Sequence, residues 1–150
     1  EKGLPILLPP KKTEQTDVRM KEKNILTVLV NSKNALLVEK EPLSIRNLRS
    51  KTIEFLENRG RDIKSSDSPT DAVVSIKTDR GTSYDTYIQV MNEVQAAYNT
   101  LRAKYMNLPL KDYLIFDEDK ASKTMKEKYK AAKKEYPLRI SEAEQTKIGE

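Results

Sequence analysis

A chain of 150 residues has the length of one domain and enough of it to bury an ordinary core. Its 28 Lys and Arg against 23 Asp and Glu leave a net charge of +5, and 34% charged beside 37% hydrophobic residues make it polar without making it disordered. It has no Cys, His or Trp, which removes disulfides, thiol and imidazole catalysis and any ordinary zinc site.

Residues 1–23 open on Leu4-Pro5-Ile6-Leu7-Leu8-Pro9-Pro10 and continue as a run of mixed charges. Three prolines and the charge run argue against packing and predict an extended arm. The chain begins at Glu1 without Met, and its apolar opening is too short for a signal peptide, so it reads as a fragment of a longer protein. No stretch approaches the roughly 20 apolar residues that span a bilayer.

Ile25–Val30 (ILTVLV) is a predicted strand, Asn31-Ser32-Lys33-Asn34 a turn, and Ala35–Glu39 a second strand. Four turn-prone residues between two apolar runs make a hairpin the most economical connection. Pro42 marks the approach to a first helix, about Ser44–Glu57, with Ile45, Leu48, Phe55 and Leu56 on one face and Asn58-Arg59-Gly60 as its stop. A polar loop over Asp62–Thr70 leads to a β-branched strand at Ala72–Lys77.

Asp79-Arg80-Gly81 then supplies a turn whose carboxylate is placed to bond backbone N–H groups, and Thr82 with Asp85 has capping-box spacing. The second helix, Tyr84–Asn107, carries Tyr87, Met91, Val94, Tyr98, Leu101 and Tyr105 at helical spacing. Its tyrosines read as core residues with hydroxyls at the rim.

Beyond Pro109, Tyr113–Phe116 is either a short strand or a plug for the core. Asp117 offers an N-cap for a third helix, about Asp119–Tyr136, with the stripe Ala121, Met125, Tyr129, Ala132 and Tyr136. Pro137 ends it, and Leu138–Ser141 reads as a last strand at a sheet edge. The order β-β-α-β-α-(α)-β predicts an α+β domain: a mixed sheet with the two main helices on one face.

The words SIKTDRGTSYDTYIQVMNEV at Ser75–Val94 resemble the core signature of the ExbD/TolR family of periplasmic domains, in which a buried strand ends in an aspartate and a Tyr-bearing helix follows. The resemblance covers about Asn24–Thr100 and, at Tyr136–Glu144, the closing strand. It departs over Leu108–Lys134. The implied organisation is a flexible arm over 1–23, a periplasmic domain over 24–144 with a helical insertion at 108–135, and a tail at 145–150.

What the resemblance implies is an accessory subunit, not an enzyme and without cofactor, of an inner-membrane energy transducer. A single membrane helix outside this chain would carry a proton-responsive aspartate and sit in an ExbB- or TolQ-like partner. The periplasmic domain, a homodimer, would pass the proton motive force to a TonB- or TolA-like protein. An ExbD-type role in TonB-dependent transport is the first reading and a TolR-like envelope-integrity or peptidoglycan-binding module the second.

Two segments are candidate contact sites. In the arm, Leu4, Ile6 and Leu8, followed by Pro9, put apolar side chains on one side of an extended chain, the geometry of strand addition to a partner; they also resemble a short family motif ahead of the domain. In the third helix Lys120, Lys123, Lys126, Lys130, Lys133 and Lys134 belong to a seven-lysine run from 120 to 134 against one acid, Glu127. The bland account is a solvated face; the sharper one is contact with anionic lipid or cell-wall polymer. Nucleic acid is disfavoured because no Arg accompanies the lysines and Tyr129 falls on the apolar stripe. The carboxylates Asp117, Glu118 and Asp119 are accounted for by capping and the helix dipole, and no residue qualifies as catalytic or metal-binding.

Overall fold

The computed structural model describes residues 21–146. Five strands form one sheet in the order β3-β2-β1-β4-β5, with β1 at Ile25–Val30, β2 at Leu36–Val38, β3 at Glu41–Leu43, β4 at Val73–Asp79 and β5 at Ile140–Thr146. The helices are α1 (Leu48–Leu56), α2 (Tyr84–Tyr105), α3 (Leu110–Leu114) and α4 (Lys123–Glu135). Strand β2 pairs antiparallel with β1 on one side and with β3 on the other, whereas β1–β4 and β4–β5 pair in parallel. Hairpins make the first kind and helical crossovers the second, so the architecture is α+β with a mixed open sheet.

Alternation decides which face is buried. Along β1, Leu26, Val28 and Val30 are at most 1% exposed, while Ile25, Thr27 and Leu29 are half-buried. With Val74 and Ile76 of β4 they join Leu48, Phe55 and Leu56 of α1 and Val90, Val94, Tyr98 and Leu101 of α2 in one core. Both main helices therefore cover the same side of the sheet. A second cluster, Ala103, Met106, Tyr113 and Ala132 with Phe116, Met125 and Tyr129 packed on it, joins the end of α2 to α3 and α4.

The turn before α2 is locked to the hairpin. Asp79 Oδ1 accepts from the Gly81 amide at 2.7 Å, the expected carboxylate-stabilised turn. A Cβ on Gly81 would lie 2.9 Å from the Ser32 Cβ, so only glycine allows this approach. Asn34, at φ 64°, turns its carboxamide oxygen to the Ser83 amide at 2.9 Å.

Several expectations shift. The capping residue of α2 is Ser83, which accepts from the Thr86 amide; Thr82 is instead drawn to the hairpin, its hydroxyl 2.9 Å from the Val30 carbonyl, where it also accepts from the Asp79 amide. The α2 stripe is rotated towards Val90, Ala97 and Arg102, leaving Met91 and Tyr87 half-buried and Tyr105 47% exposed. Tyr98 is buried to its hydroxyl instead of reaching the rim.

Pro42 sits in the middle of β3, not at a helix start, and the helical turn at Ile45–Asn47 precedes α1. As an edge strand β3 tolerates a residue without an N–H. Strand β1, apolar on both faces, lies inside the sheet, so the edges belong to β3 and β5. Tyr113–Phe116 forms no strand: Tyr113, on α3, is 7% exposed and with Phe116 fills the second cluster, while Leu114 and Ile115 face outward. Asp117 caps only a single turn at Glu118–Lys120, and Ser122 caps α4 itself by accepting from the Met125 amide.

Candidate functional site

The arm residues Leu4, Ile6, Leu8 and Pro9 lie outside the described residues. The lysine run lies within them. Lys120 ends the turn Glu118–Lys120, and the other five candidates fall on α4. Because α4 turns Ala132, Met125 and Tyr129 inward onto the second cluster, Lys123, Lys126, Lys130, Lys133 and Lys134, spaced by three, four, three and one, share a flank of the opposite surface. Lys128 stands apart from that flank. Of the five, Lys126 is half-buried and the others exposed. The structure thus brings together five of the six candidate lysines.

The Lys133 ammonium lies 4.8 Å from the centre of the Tyr129 ring, a cation–π contact. The same ring packs against Phe116 at 4.8 Å and Tyr113 at 5.9 Å between centroids. Sequence reasoning did not single out the neighbours of Phe116. Leu114 is 58% and Ile115 78% exposed, an adjacent apolar pair at the end of α3. The run Tyr-Leu-Ile-Phe was legible as apolar, but which members faced outward depended on a helical turn that five residues do not announce.

A polar cluster closes the other end of α4. Arg59 reaches Glu57 at 2.8 Å and Glu135 at 3.0 Å, and its Nη2 donates to the Tyr136 hydroxyl at 3.2 Å. The Tyr136 hydroxyl donates in turn to Glu57. Burial pushes the Tyr136 phenol up to about 12, with the Glu57 carboxylate adding to the rise and Arg59 opposing it. At Glu57 burial works against the carboxylate, yet hydrogen bonds from Tyr136 and Arg59 outweigh it and hold the group below the usual range. Capping and cross-linking account for every member, so this cluster is structural.

Beside the β3 edge a groove of about 440 Å³ runs between Leu36, Pro42, Leu43 and Ile45 on one wall and Thr86 and Gln89 of α2 on the other. It is apolar enough for a side chain and offers no charged group. Among the described residues no cluster of acids could hold a metal ion, and no helix is long and apolar enough to cross a membrane.

The family described as biopolymer transport protein ExbD/TolR matches this chain over residues 1–105. The match spans residues 1–24, the hairpin, α1, β4, the Asp79–Gly81 turn and the whole of α2, and ends where the second hydrophobic cluster begins to take over. No curated protein matches the chain. With more than half its length matched, the chain belongs to the ExbD/TolR family, and its role is that of an accessory protein in biopolymer transport.

Proposed function

We propose that this chain is the periplasmic portion of an inner-membrane accessory subunit in a complex of the ExbB-ExbD-TonB type, which passes the proton motive force to TonB-dependent outer-membrane transport. The observation that carries this reading is the family match over residues 1–105, arm and domain together. An ExbB-like subunit holds the membrane helix upstream, and a TonB-like protein meets the domain. A second copy of the chain completes a dimer.

The arm is the moving part in this reading. Leu4, Ile6 and Leu8 dock as an extended strand, on this domain at rest and on the TonB-like partner at work. On the domain side, β5 is a seven-residue edge strand with no neighbour beyond it among the described residues, so its outer N–H and C=O groups can accept a strand. Three apolar side chains contribute ~1.5–3 kcal/mol each on burial, against roughly 1–2 kcal/mol of ordering per residue. The net association is weak, and a weak contact is reversed by whichever partner binds one state better.

Replacing Leu4, Ile6 and Leu8 together with Ser in the full-length protein should abolish TonB-dependent uptake and leave the melting temperature of the domain unchanged. Normal uptake in that variant refutes the docking arm. Normal uptake joined to a leaking envelope in a deletion strain would assign the TolR-like role instead.

A further inference from the structure

We propose that the α3–α4 segment is a membrane-surface contact, in which the lysine flank of α4 binds anionic phospholipid headgroups while Leu114 and Ile115 enter the boundary of the acyl chains.

Like charges at three- and four-residue spacing repel one another and weaken a helix. Lys126 and Lys130, Lys130 and Lys134, Lys123 and Lys126, and Lys130 and Lys133 all stand at that spacing. Their flank adjoins one acid, Glu127, and the other acid of α4, Glu135, is engaged by Arg59. The ion pairs of the described residues use Lys23, Arg49 and Arg59, and none uses a lysine of α4. Apart from the Lys133 contact with the Tyr129 ring and the neighbouring Glu127, the repulsion along the flank is offset by no ion pair among the described residues, as expected where the partner is an external anionic surface.

Charge alone would suit any polyanion. The apolar pair narrows the choice to a bilayer. Leu114 and Ile115 are two of the few large hydrophobic side chains left exposed in the described residues. They adjoin Phe116, which stacks on the Tyr129 ring that also carries the Lys133 ammonium. One aromatic ring thus joins the apolar tip to the basic flank. Of the three acids that follow, Glu118 is half-buried, while Asp117, which accepts from the Asp119 amide, and Asp119 are exposed beside Lys120. A bilayer surface takes both features at once, headgroup phosphates for the ammonium groups and the acyl boundary for Leu and Ile. A soluble polyanion uses the lysines and leaves the apolar pair in water.

The segment lies beyond the family match, which ends at residue 105, so the inference stands or falls independently of the arm. The test is co-sedimentation of the 150-residue chain with vesicles of phosphatidylcholine alone and of phosphatidylcholine with phosphatidylglycerol. Binding is expected to the anionic vesicles, falling as salt rises, and not to the neutral ones. The triple variant K123Q/K130Q/K134Q should lose about a hundredfold in partitioning. The double variant L114S/I115S should also bind more weakly, with its melting temperature held at the parent value because these side chains are exposed; K123Q/K130Q/K134Q should melt at or above the parent value because the repulsion along the flank is relieved. Three results overturn the proposal: no binding to anionic vesicles, equal binding to neutral ones, or parental binding by either variant. Lysine-dependent binding to isolated peptidoglycan that L114S/I115S leaves intact, without vesicle binding, assigns the flank to cell-wall polymer and overturns the lipid contact as well.

Discussion

The guanidinium of Arg102, 7% exposed, donates through Nε to the backbone carbonyl of Tyr136 at 3.0 Å. Arg102 lies on α2 within the family match, and Tyr136 is the residue at which α4 gives way to β5. The bond fixes where the chain returns to the sheet after its excursion through α3 and α4, and so helps set the β5 register, Val74 opposite Ile140 and Ser75 opposite Ser141.

Removing that donor leaves a buried carbonyl without its partner. Hydrogen bonds to charged groups contribute about 1.5–3 kcal/mol, and an orphaned buried acceptor adds to the loss. Arg102→Ala should therefore lower the unfolding free energy by about 3 kcal/mol, read from urea denaturation. Arg102→Lys should recover little, because an ammonium at the end of a flexible stem does not reproduce the planar Nε donor. Parental stability in Arg102→Ala would show that the return to β5 is held by Tyr136 and Ile140 packing alone.

The β2–β3 turn carries strain that a substitution can relieve. Glu39 and Lys40 have φ of 57° and 69°, consecutive left-handed residues without a glycine. Side chains with a Cβ pay roughly 1–2 kcal/mol each in that region, and tight hairpins of this hand favour Asn-Gly. Glu39→Asn with Lys40→Gly is expected to stabilise the domain by about 1 kcal/mol after the added freedom of glycine in the unfolded chain is deducted. A calorimetric melt decides it: a lower melting temperature would mean that the Glu39 and Lys40 side chains contribute more than the strain removes.

Phenol ionisation should limit alkaline stability. Burial raises Tyr87, Tyr98 and Tyr136 from 10.0 to about 12; the Glu142 carboxylate adds to the rise at Tyr87, as Glu57 does at Tyr136, and the Arg139 backbone and the charge of Arg102 oppose it at Tyr98. Above pH 10 the unfolded chain loses these protons while the folded one keeps them, so stability falls as pH rises from 10 towards 12. Glu57 acts with the opposite sign, its stabilisation present above 4.5 and lost as pH falls below that through its depressed folded value. Melting temperature against pH should show both shoulders. Tyr136→Phe should shrink the alkaline one, and an unaltered alkaline limb would exclude Tyr136 as a contributor.

Legibility tracked how local each structural cause was. The short apolar run Ile25–Val30 and the Asn-containing turn after it specified β1 and the hairpin because a strand run and a tight turn are set by near neighbours in sequence. Asp79 and Gly81 marked their turn because a carboxylate and a missing Cβ act within three residues. Strand β3 escaped because Glu39-Lys40-Glu41-Pro42 contains no left-handed turn former; pairing with β2 imposes that turn from outside. Arg102 as a buried residue, the shift of the cap from Thr82 to Ser83 and the exposure of Leu114 and Ile115 all depend on what packs from distant parts of the chain. The lysine flank was visible as composition, but its alignment on one side of α4 required knowing which residues face the second cluster.

That second cluster leads to the last prediction. Tyr129 holds Phe116 and Tyr113 on one helix face, and the cluster around it shares no buried member with the sheet core. Packing of this kind makes α3 and α4 a unit able to open while the sheet stays closed. Tyr129→Ala removes an aromatic side chain from a half-buried site and should cost about 2–3 kcal/mol, at or below the low end for a large core aromatic. Native-state hydrogen exchange is the measurement that separates local from global effects. Amides of α3 and α4 should exchange much faster in the variant, while those of β1, β4 and the first turns of α2 keep parental protection. Uniform loss of protection across sheet and helices would mean that the two clusters unfold as one, and that Arg102 and Tyr136 couple them more tightly than their separate cores suggest.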